Sequence, residues 1–195
     1  MTSRIIDIHS HHKSPSAIYN LKPGEQPLPG QPSSAGVHPW YIGKSSIDEV
    51  EFLLQQQEII AVGECGLDRN IDISLDQQEE IFRRHIILSE QYGKPLIIHC
   101  VRCHSEVLRI HKQTHPRMPW IIHGFRGKPG AAAQLRRAGI YYSLGERYNP
   151  QVLLDTPLDQ ILPETDEACD IHAVIRGLGI TERQAAENIR VLFDL

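Results

Sequence analysis

Apolar positions along the chain gather into short, unbroken runs separated by polar stretches. Eight such runs occur, at 4–9 (RIIDIH), 16–21 (SAIYNL), 33–38 (SSAGVH), 58–64 (EIIAVGE), 95–99 (PLIIH), 120–123 (WIIH), 140–145 (IYYSLG) and 160–166 (QILPETD). Each is rich in β-branched or aromatic residues and too short for a helix, so each predicts a strand. Continuous apolarity, rather than alternation, predicts strands covered on both faces, as in a parallel sheet. Helical signals lie between most of them. Ser46-Ile-Asp-Glu49 has the form of a capping box and opens a helix to about Gln57. Residues 75–92 carry Leu75, Ile81, Phe82, Ile86, Leu88 and Tyr92 among polar residues and stop at Gly93 and Pro95. Further helices are predicted over 104–113, 130–138 (closed by Gly139 at C′), 171–178 (ending at Gly179), and from the Thr181-x-x-Gln184 cap to about Val191.

Strand–helix alternation indicates an α/β fold. Eight strands point to a (β/α)8 TIM barrel, although 195 residues fall short of the ~250 usual for one. The shortfall can be located. The first two strands leave no room for a crossover helix, and 22–32 (KPGEQPLPGQP) reads as Pro/Gly-rich loop. The expectation is a distorted or trimmed TIM barrel, lacking at least one early helix, with residues 1–195 forming a single domain.

Composition narrows the class. Hydrophobic residues make up 41% and charged residues 23%, which excludes disorder and coiled coil. No run approaches the roughly 20 apolar residues of a membrane span, and the N-terminal residues lack the apolar region of a secretory signal. A cytoplasmic protein with no membrane association and no stable protein partner is expected, its Cys65, Cys100, Cys103 and Cys169 reduced. Cys100-x-x-Cys103 has redox or zinc spacing, but no second CxxC follows, so that role is the lesser reading. A net charge of −4 excludes tight wrapping of duplex nucleic acid by a general basic surface.

Eleven histidines are the unusual feature. His9 and His11 end the first strand, Glu64 the fourth, His99 the fifth, His123 the sixth and Asp166 the eighth. In a barrel these strand ends converge on one rim, where active sites are built. Any one of these residues alone is more often structural; together they form a metal-ligand set. His-x-His on a strand points both rings to one face, and imidazole with carboxylate suits divalent metals. His9, His11 and Asp166 can hold one ion and His99 and His123 another, with Glu64 bridging. Two ions, of zinc, manganese or magnesium, would activate a water for hydrolysis. Asp166, with one oxygen free, is the candidate base, and Glu64 and Asp166 are the candidate catalytic carboxylates. His38 and His104, near strand ends, are placed toward substrate. His12, His85, His111 and His115 lack such placement and are expected to be solvated.

At these residues the chain resembles the TatD family of metal-dependent hydrolases and deoxyribonucleases. The match runs in order through Asp7-x-His9-x-His11, Gly36-Val-His38-Pro-Trp40, Gly63-Glu-Cys-Gly-Leu-Asp68, Pro95 to His99, His123-Gly-Phe-Arg-Gly127, Glu164-Thr-Asp166 and Asn188 to Phe193. The resemblance implies a distorted TIM barrel, a binuclear site on His9, His11, Glu64, His99, His123 and Asp166, and phosphodiester hydrolysis. The chain departs from the pattern in its missing early helix, in Arg102 standing one place later than usual, in Arg126 replacing a small residue, and in a short segment after Asp166. Arg102, Arg126 and Lys128, with His38, are candidate substrate-binding residues for a nucleic acid or a small phosphodiester.

Two other readings compete. Related barrels, among them amidohydrolases and phosphoesterases, also open with His-x-His, and Asp170-Ile-His172 imitates the closing motif of one such phosphoesterase group. It follows Glu164-Thr-Asp166, however, and is expected to open a helix. A non-catalytic scaffold is disfavoured because none of the six ligands is missing.

Overall fold

The computed structural model describes residues 4–194. Met1 to Ser3, part of the stretch read for a secretory signal, lie outside them. All eight expected strands form. They are β1 (Asp7–Ser10), β2 (Ala17–Asn20), β3 (Ser33–Ala35), β4 (Ile59–Asp68), β5 (Leu96–Val101), β6 (Trp120–Ile122), β7 (Tyr141–Leu144) and β8 (Leu162–Pro163). They lie in sequence order, each parallel to the next. The barrel closes just beyond β8. There Ser10 bridges Asp166, the His11 amide donates to the Asp166 carbonyl (2.9 Å) and the Asp166 amide to the His9 carbonyl (3.0 Å).

The continuous apolar runs serve two cores by alternation. Ile8, Ile18, Ala61, Ile97, Ile121 and Leu162 fill the barrel interior. Leu96, Ile98, Trp120 and Ile122, one step out of phase, pack outward with Phe82, Val107 and Ile110. The outer residues come from helices α1 (Ile47–Leu53), α2 (Leu75–Tyr92), α3 (His104–Thr114), α4 (Pro129–Arg137), α5 (Pro150–Asp155) and α6 (Ile171–Gly177), which α7 (Glu182–Phe193) follows. Ile189 and Phe193 of α7 join the interior cluster and close that core. Gly93 and the Thr181 cap end α2 and open α7 as the pattern predicts. Ser46 caps α1 through the Asp48 amide.

No helix separates β1 from β2 or β2 from β3, so the early trimming extends to both connections. Pattern reading did not assign α5. It is only six residues long and buries Val152, but the Asn149 cap followed by Pro150 at its first position starts it. Among the described residues no helix is long and apolar enough to cross a membrane.

Candidate metal centre

The rows that line the barrel interior continue upward into the site. Ile97 is followed two residues later by His99, and Ile121 by His123. Glu64 reaches the same interior through an irregularity. Val62 pairs with Leu96 but Cys65 with Ile98, so β4 carries an extra residue between them. That bulge flips the phase and brings Glu64, Gly66 and Asp68 into one row. Gly63 sits there at φ 140°, and a Cβ on Gly66 would lie 2.1 Å from the His99 carbonyl oxygen, so both positions require glycine. A second register shift, between Asp7 and Ser10 of β1, flanks His9. Bulges thus re-aim side chains at two of the ligand positions.

Four of the six expected ligands, His9, His11, His99 and His123, converge on Glu64 from both sides, and Asp166 joins through His9 and His11. On one side His9 Nε2 lies 3.5 Å and His11 Nε2 3.8 Å from Glu64 Oε2, and the same two nitrogens lie 3.8 and 3.6 Å from Asp166 Oδ1. These separations are too long for hydrogen bonds. They match the roughly 3.4 Å between neighbouring ligands of an ion with bonds of about 2.1 Å in tetrahedral geometry. Both nitrogens of the fully buried His9 lack a hydrogen-bond partner, a costly state for polar atoms that a cation on Nε2 would relieve. On the other side Glu64 Oε1 lies 2.8 Å from His99 Nδ1, 2.8 Å from His123 Nε2 and 3.1 Å from His38 Nε2. His9, His11 and Glu64, and separately His38, Glu64 and His99, bring their ligand atoms close enough to share an ion, as do His9, His123 and Asp166. The donor set therefore fits divalent metal on each side of Glu64.

His38, expected toward substrate, belongs to this cluster. It also caps the one-turn 3-10 helix Pro39–Tyr41, its Nδ1 accepting from the Trp40 amide. Its position is set from behind by His85. The fully buried His85 ring accepts from the Val37 amide at Nε2 (2.9 Å) and donates from Nδ1 to the Ile81 carbonyl (2.8 Å). The expectation that His85 is solvated was therefore wrong. It lies on the buried face of α2 with Phe82, Ile86 and Ser89, and burial drives its pKa down to about 4. His111 is also only partly exposed, edge-on to Trp120 at 4.9 Å. His12 and His115 are exposed as expected. His104 packs edge-on to Phe125, and burial lowers its pKa.

Behind the ligands stands a second layer of carboxylates and amides. Asp68 Oδ2 meets His99 Nε2 at 3.1 Å, and Glu164 Oε2 lies 3.8 Å from His123 Nδ1 while accepting from Ser143 Oγ at 2.6 Å. Asn20 donates to Glu64 Oε2 (3.4 Å) and accepts from the Glu64 amide (2.9 Å). Asp7 accepts from the Thr165 amide and hydroxyl (3.1 and 2.7 Å) and from the His9 amide (3.3 Å), tying β1 to the segment that bears Asp166. Such partners orient ligands and raise their basicity. Reading the sequence assigned no role to Asp68, Glu164, Asp7 or Asn20, although the first three stand within the quoted motifs.

The electrostatics follow from burial and neighbours. Burial pushes Asp7 up to about 7 and His9 down to about 3. Burial also opposes charge on Glu64 and His123, but their mutual attraction outweighs it. Glu64 is held well below the usual carboxylate range and His123 well above the usual imidazole range. Asp166, raised chiefly by burial, is the more open of the two central carboxylates, 27% exposed against 4% for Glu64.

Arg102, Arg126 and Lys128 stand exposed on the segments after β5 and β6, and among the described residues no ion pair ties them to the cluster. His172 lies on α6, exposed, 2.8 Å from Glu182 Oε1, and Asp170 caps that helix. The pair therefore opens a helix, as expected, and does not extend the cluster. The cysteines are free; burial pushes the Cys100 thiol up to about 12 and Cys103 up to about 11, opposite to what a reactive pair needs.

Known proteins resemble this chain in sequence and fold. The family described as TatD related DNase matches residues 25–170, a stretch that contains Glu64, His99, His123 and Asp166; His9 and His11 precede it. A 3'-5' ssDNA/RNA exonuclease TatD from Edwardsiella piscicida is 31% identical over 150 residues, covering 69% of this chain and 56% of that protein. An uncharacterized metal-dependent hydrolase of Buchnera aphidicola is 32% identical over 157 residues, covering 74% of this chain and 59% of its own length. The chain thus spans little more than half the length of these curated relatives. In fold it is similar to YJJV, a TatD homologue from Escherichia coli K12, with a TM-score of 0.70 and 22% identity over 92% of this chain and 86% of that one. With most of its length matched, the chain belongs to the TatD related DNase family.

Proposed function

We propose that this chain is a metal-dependent phosphodiesterase acting on nucleic-acid ends, with two divalent cations sharing Glu64. The observation that carries the reading is the split use of that carboxylate: Oε2 faces His9 and His11, and Oε1 faces His38, His99 and His123. Bound cations would polarise a phosphoryl oxygen and make a water nucleophilic at neutral pH. The chain's own residues do the rest. Glu64, both oxygens engaged, is a ligand and not a base. Asp166 turns Oδ1 to His9 and His11 and is the more open to solvent, so it is the group placed to take the proton. Asp68 holds His99 in orientation, and Glu164 sets a buried negative charge near His123. Arg102, Arg126 and Lys128 steer phosphate toward the rim. With a net charge of −4 the chain has no long cationic track, so ends and short strands suit it better than long duplex. The exonuclease activity named for the Edwardsiella relative agrees with this reading.

The test is a phosphodiesterase panel run after chelation and reconstitution with zinc, manganese or magnesium. Bis-p-nitrophenyl phosphate and single- and double-stranded DNA and RNA serve as substrates. Metal-restored cleavage with near two equivalents bound is expected; full activity in the chelated protein would refute the reading. Asp166→Asn should keep much of its metal and lose roughly 10²–10⁴ in kcat, the scale of general acid–base catalysis. Activity falling only in step with lost metal would reduce Asp166 to a ligand.

A further inference from the structure

Beside the candidate metal cluster, Trp40 is 54% exposed, whereas the other tryptophan, Trp120, is 1% exposed. An indole left this open is unusual, because tryptophan is on average a highly buried residue. It is also not loose. His38 fixes its backbone by accepting from the Trp40 amide (3.1 Å), Pro39 stiffens the turn, and the indole N–H donates to Asp68 Oδ2 (2.9 Å). Only the edge of the ring is committed to that bond. The ring centroid lies 4.8 Å from that of His38 and 6.1 Å from that of His99. Tyr41, 40% exposed, extends the aromatic surface, its ring 6.0 Å from His38. A rigid exposed aromatic face therefore stands against the histidines that flank Glu64.

On the phosphodiesterase reading above, on which this inference rests, we propose that Trp40 is a base-binding platform. The nucleobase adjoining the scissile phosphate stacks on its exposed face. Chemistry supports that occupant. A base is one sugar away from its phosphate, so a phosphate at the cluster places a base within reach of Trp40. Every base has a π-face, so stacking serves nucleotides of any sequence. A base inside a duplex already stacks on its neighbours and must leave them first, whereas a frayed or single-stranded terminus offers its face directly. The platform is fixed before substrate arrives, so little ordering cost is added on binding.

Trp40 also shares Asp68 Oδ2 with His99 Nε2, so a purely structural role, through the orientation of His99, is the rival account. The experiment separates the two. Metal-loaded full chain is assayed with a short oligothymidylate and with the same strand carrying one abasic residue at each position in turn. In wild type, one abasic position should lower kcat/KM by roughly 5- to 150-fold, the range of base–aromatic stacking. Trp40→Ala should lose the same factor on the intact strand and erase the difference between intact and abasic strands. Trp40→Phe keeps a ring but not the N–H, and should preserve most of that difference. The rival account requires both variants to slow intact and abasic strands equally, and that result would overturn the proposal. Fluorescence gives a readout independent of cleavage: quenching by the intact oligonucleotide should come from Trp40 and weaken with the abasic strand. Base-dependent quenching without cleavage would sink the phosphodiesterase reading and leave the platform standing. Cleavage with no base dependence would do the reverse, and the absence of both would remove both.

Discussion

Strands β4 to β6 and strands β1 to β3 are held in place by different means. In the former, apolar side chains do the work: Leu96, Ile98, Trp120 and Ile122 lie under Phe82, Val107 and Ile110. In the latter no helix crosses between strands, and buried polar side chains fix the register. Gln31 Nε2 donates to the Ser14, Ala17 and Pro32 carbonyls at 2.8 to 3.0 Å, Ser34 Oγ donates to Asn20 Oδ1, and Asp7 and Ser10 hold Thr165. Apolar burial is strong but non-directional; hydrogen bonds are individually modest but set positions. The thinly covered side of the barrel therefore depends on directional contacts. Two of the residues that supply them, Asp7 and Asn20, also touch the proposed ligands His9 and Glu64.

The largest effect is expected where the two sides meet. Glu64 stands on β4 and takes His9, His11 and His38 from the side of β1 to β3 and His99 and His123 from the side of β5 and β6. Glu64→Ala should strip both clusters of their shared carboxylate. Its loss of metal affinity should exceed the roughly 10–100-fold typical of outer-shell changes. Titration calorimetry with zinc or manganese measures it; uptake equal to wild type would remove Glu64 from the centre.

The next effect should fall on stability and leave metal alone. Phe82 is fully buried and meets Trp120 edge-to-face at 5.4 Å. Phe82→Ala should cost about 3–5 kcal/mol in denaturant unfolding, as large-to-small core changes do, while metal uptake by the folded fraction stays as in wild type. If metal affinity drops with it, apolar packing and site geometry are coupled and the contrast between the two sides weakens.

His85 tests the contrast within the apolar side, because there a polar group is buried under helix α2. Its pKa falls from about 6.5 unfolded to about 4 folded, with burial the leading cause. Between those values the unfolded chain binds the proton and the folded chain does not, so stability rises with pH across the window. Acidification from pH 6.5 to 4 should remove up to about 3 kcal/mol through this residue. His85→Gln, compared with wild type after chelation, should show a correspondingly flatter stability profile between those pH values. Equal slopes in the two proteins would contradict the assignment.

The sequence carried the fold, and the cluster proposed to bind metal, further than it carried the residues that support that cluster. Runs such as Leu96 to Ile98 announce a doubly covered strand because inward and outward positions are both apolar. That His9, His11, Glu64, His99, His123 and Asp166 come together was legible because residues of metal-ligand chemistry recur at strand ends. His85 was misread because it was judged as a lone histidine and not by its phase on α2, where Phe82, Ile86 and Ser89 mark the buried face. Helix α5 escaped because six residues burying one side chain leave almost no periodicity. Asn20 and Glu164 were missed because a supporting residue is defined by its partner across the barrel, 44 positions away for Asn20 and Glu64. No local pattern encodes that distance. The bulge between Val62 and Cys65 is of the same kind: only pairing with β5 reveals that β4 changes phase there.

Asn20 offers the finest test of how the thinly covered side works. Its side-chain oxygen accepts from the Glu64 amide and the Ser34 hydroxyl, and its amide nitrogen donates to Glu64 Oε2. One residue thereby links β2, β3 and the bulge of β4. If register on this side is set by directional contacts, Asn20→Ala should do two modest things together. Leaving the buried Glu64 amide without its acceptor should cost about 1–3 kcal/mol of stability. Loss of the bond to Oε2 should also weaken metal binding by roughly 10–100-fold, the usual scale for an outer-shell partner. Asn20→Asp separates the two effects. It keeps an acceptor for the Glu64 amide but sets a second buried carboxylate beside Oε2, where like charges repel without a cation and are relieved by one. Asn20→Asp should therefore unfold more readily than wild type when chelated and recover most of the difference when metal is restored, whereas Asn20→Ala should recover less. If both variants respond to metal alike, Asn20 acts on the strands and not on the centre, and the proposed sharing of contacts between register and site fails at this residue.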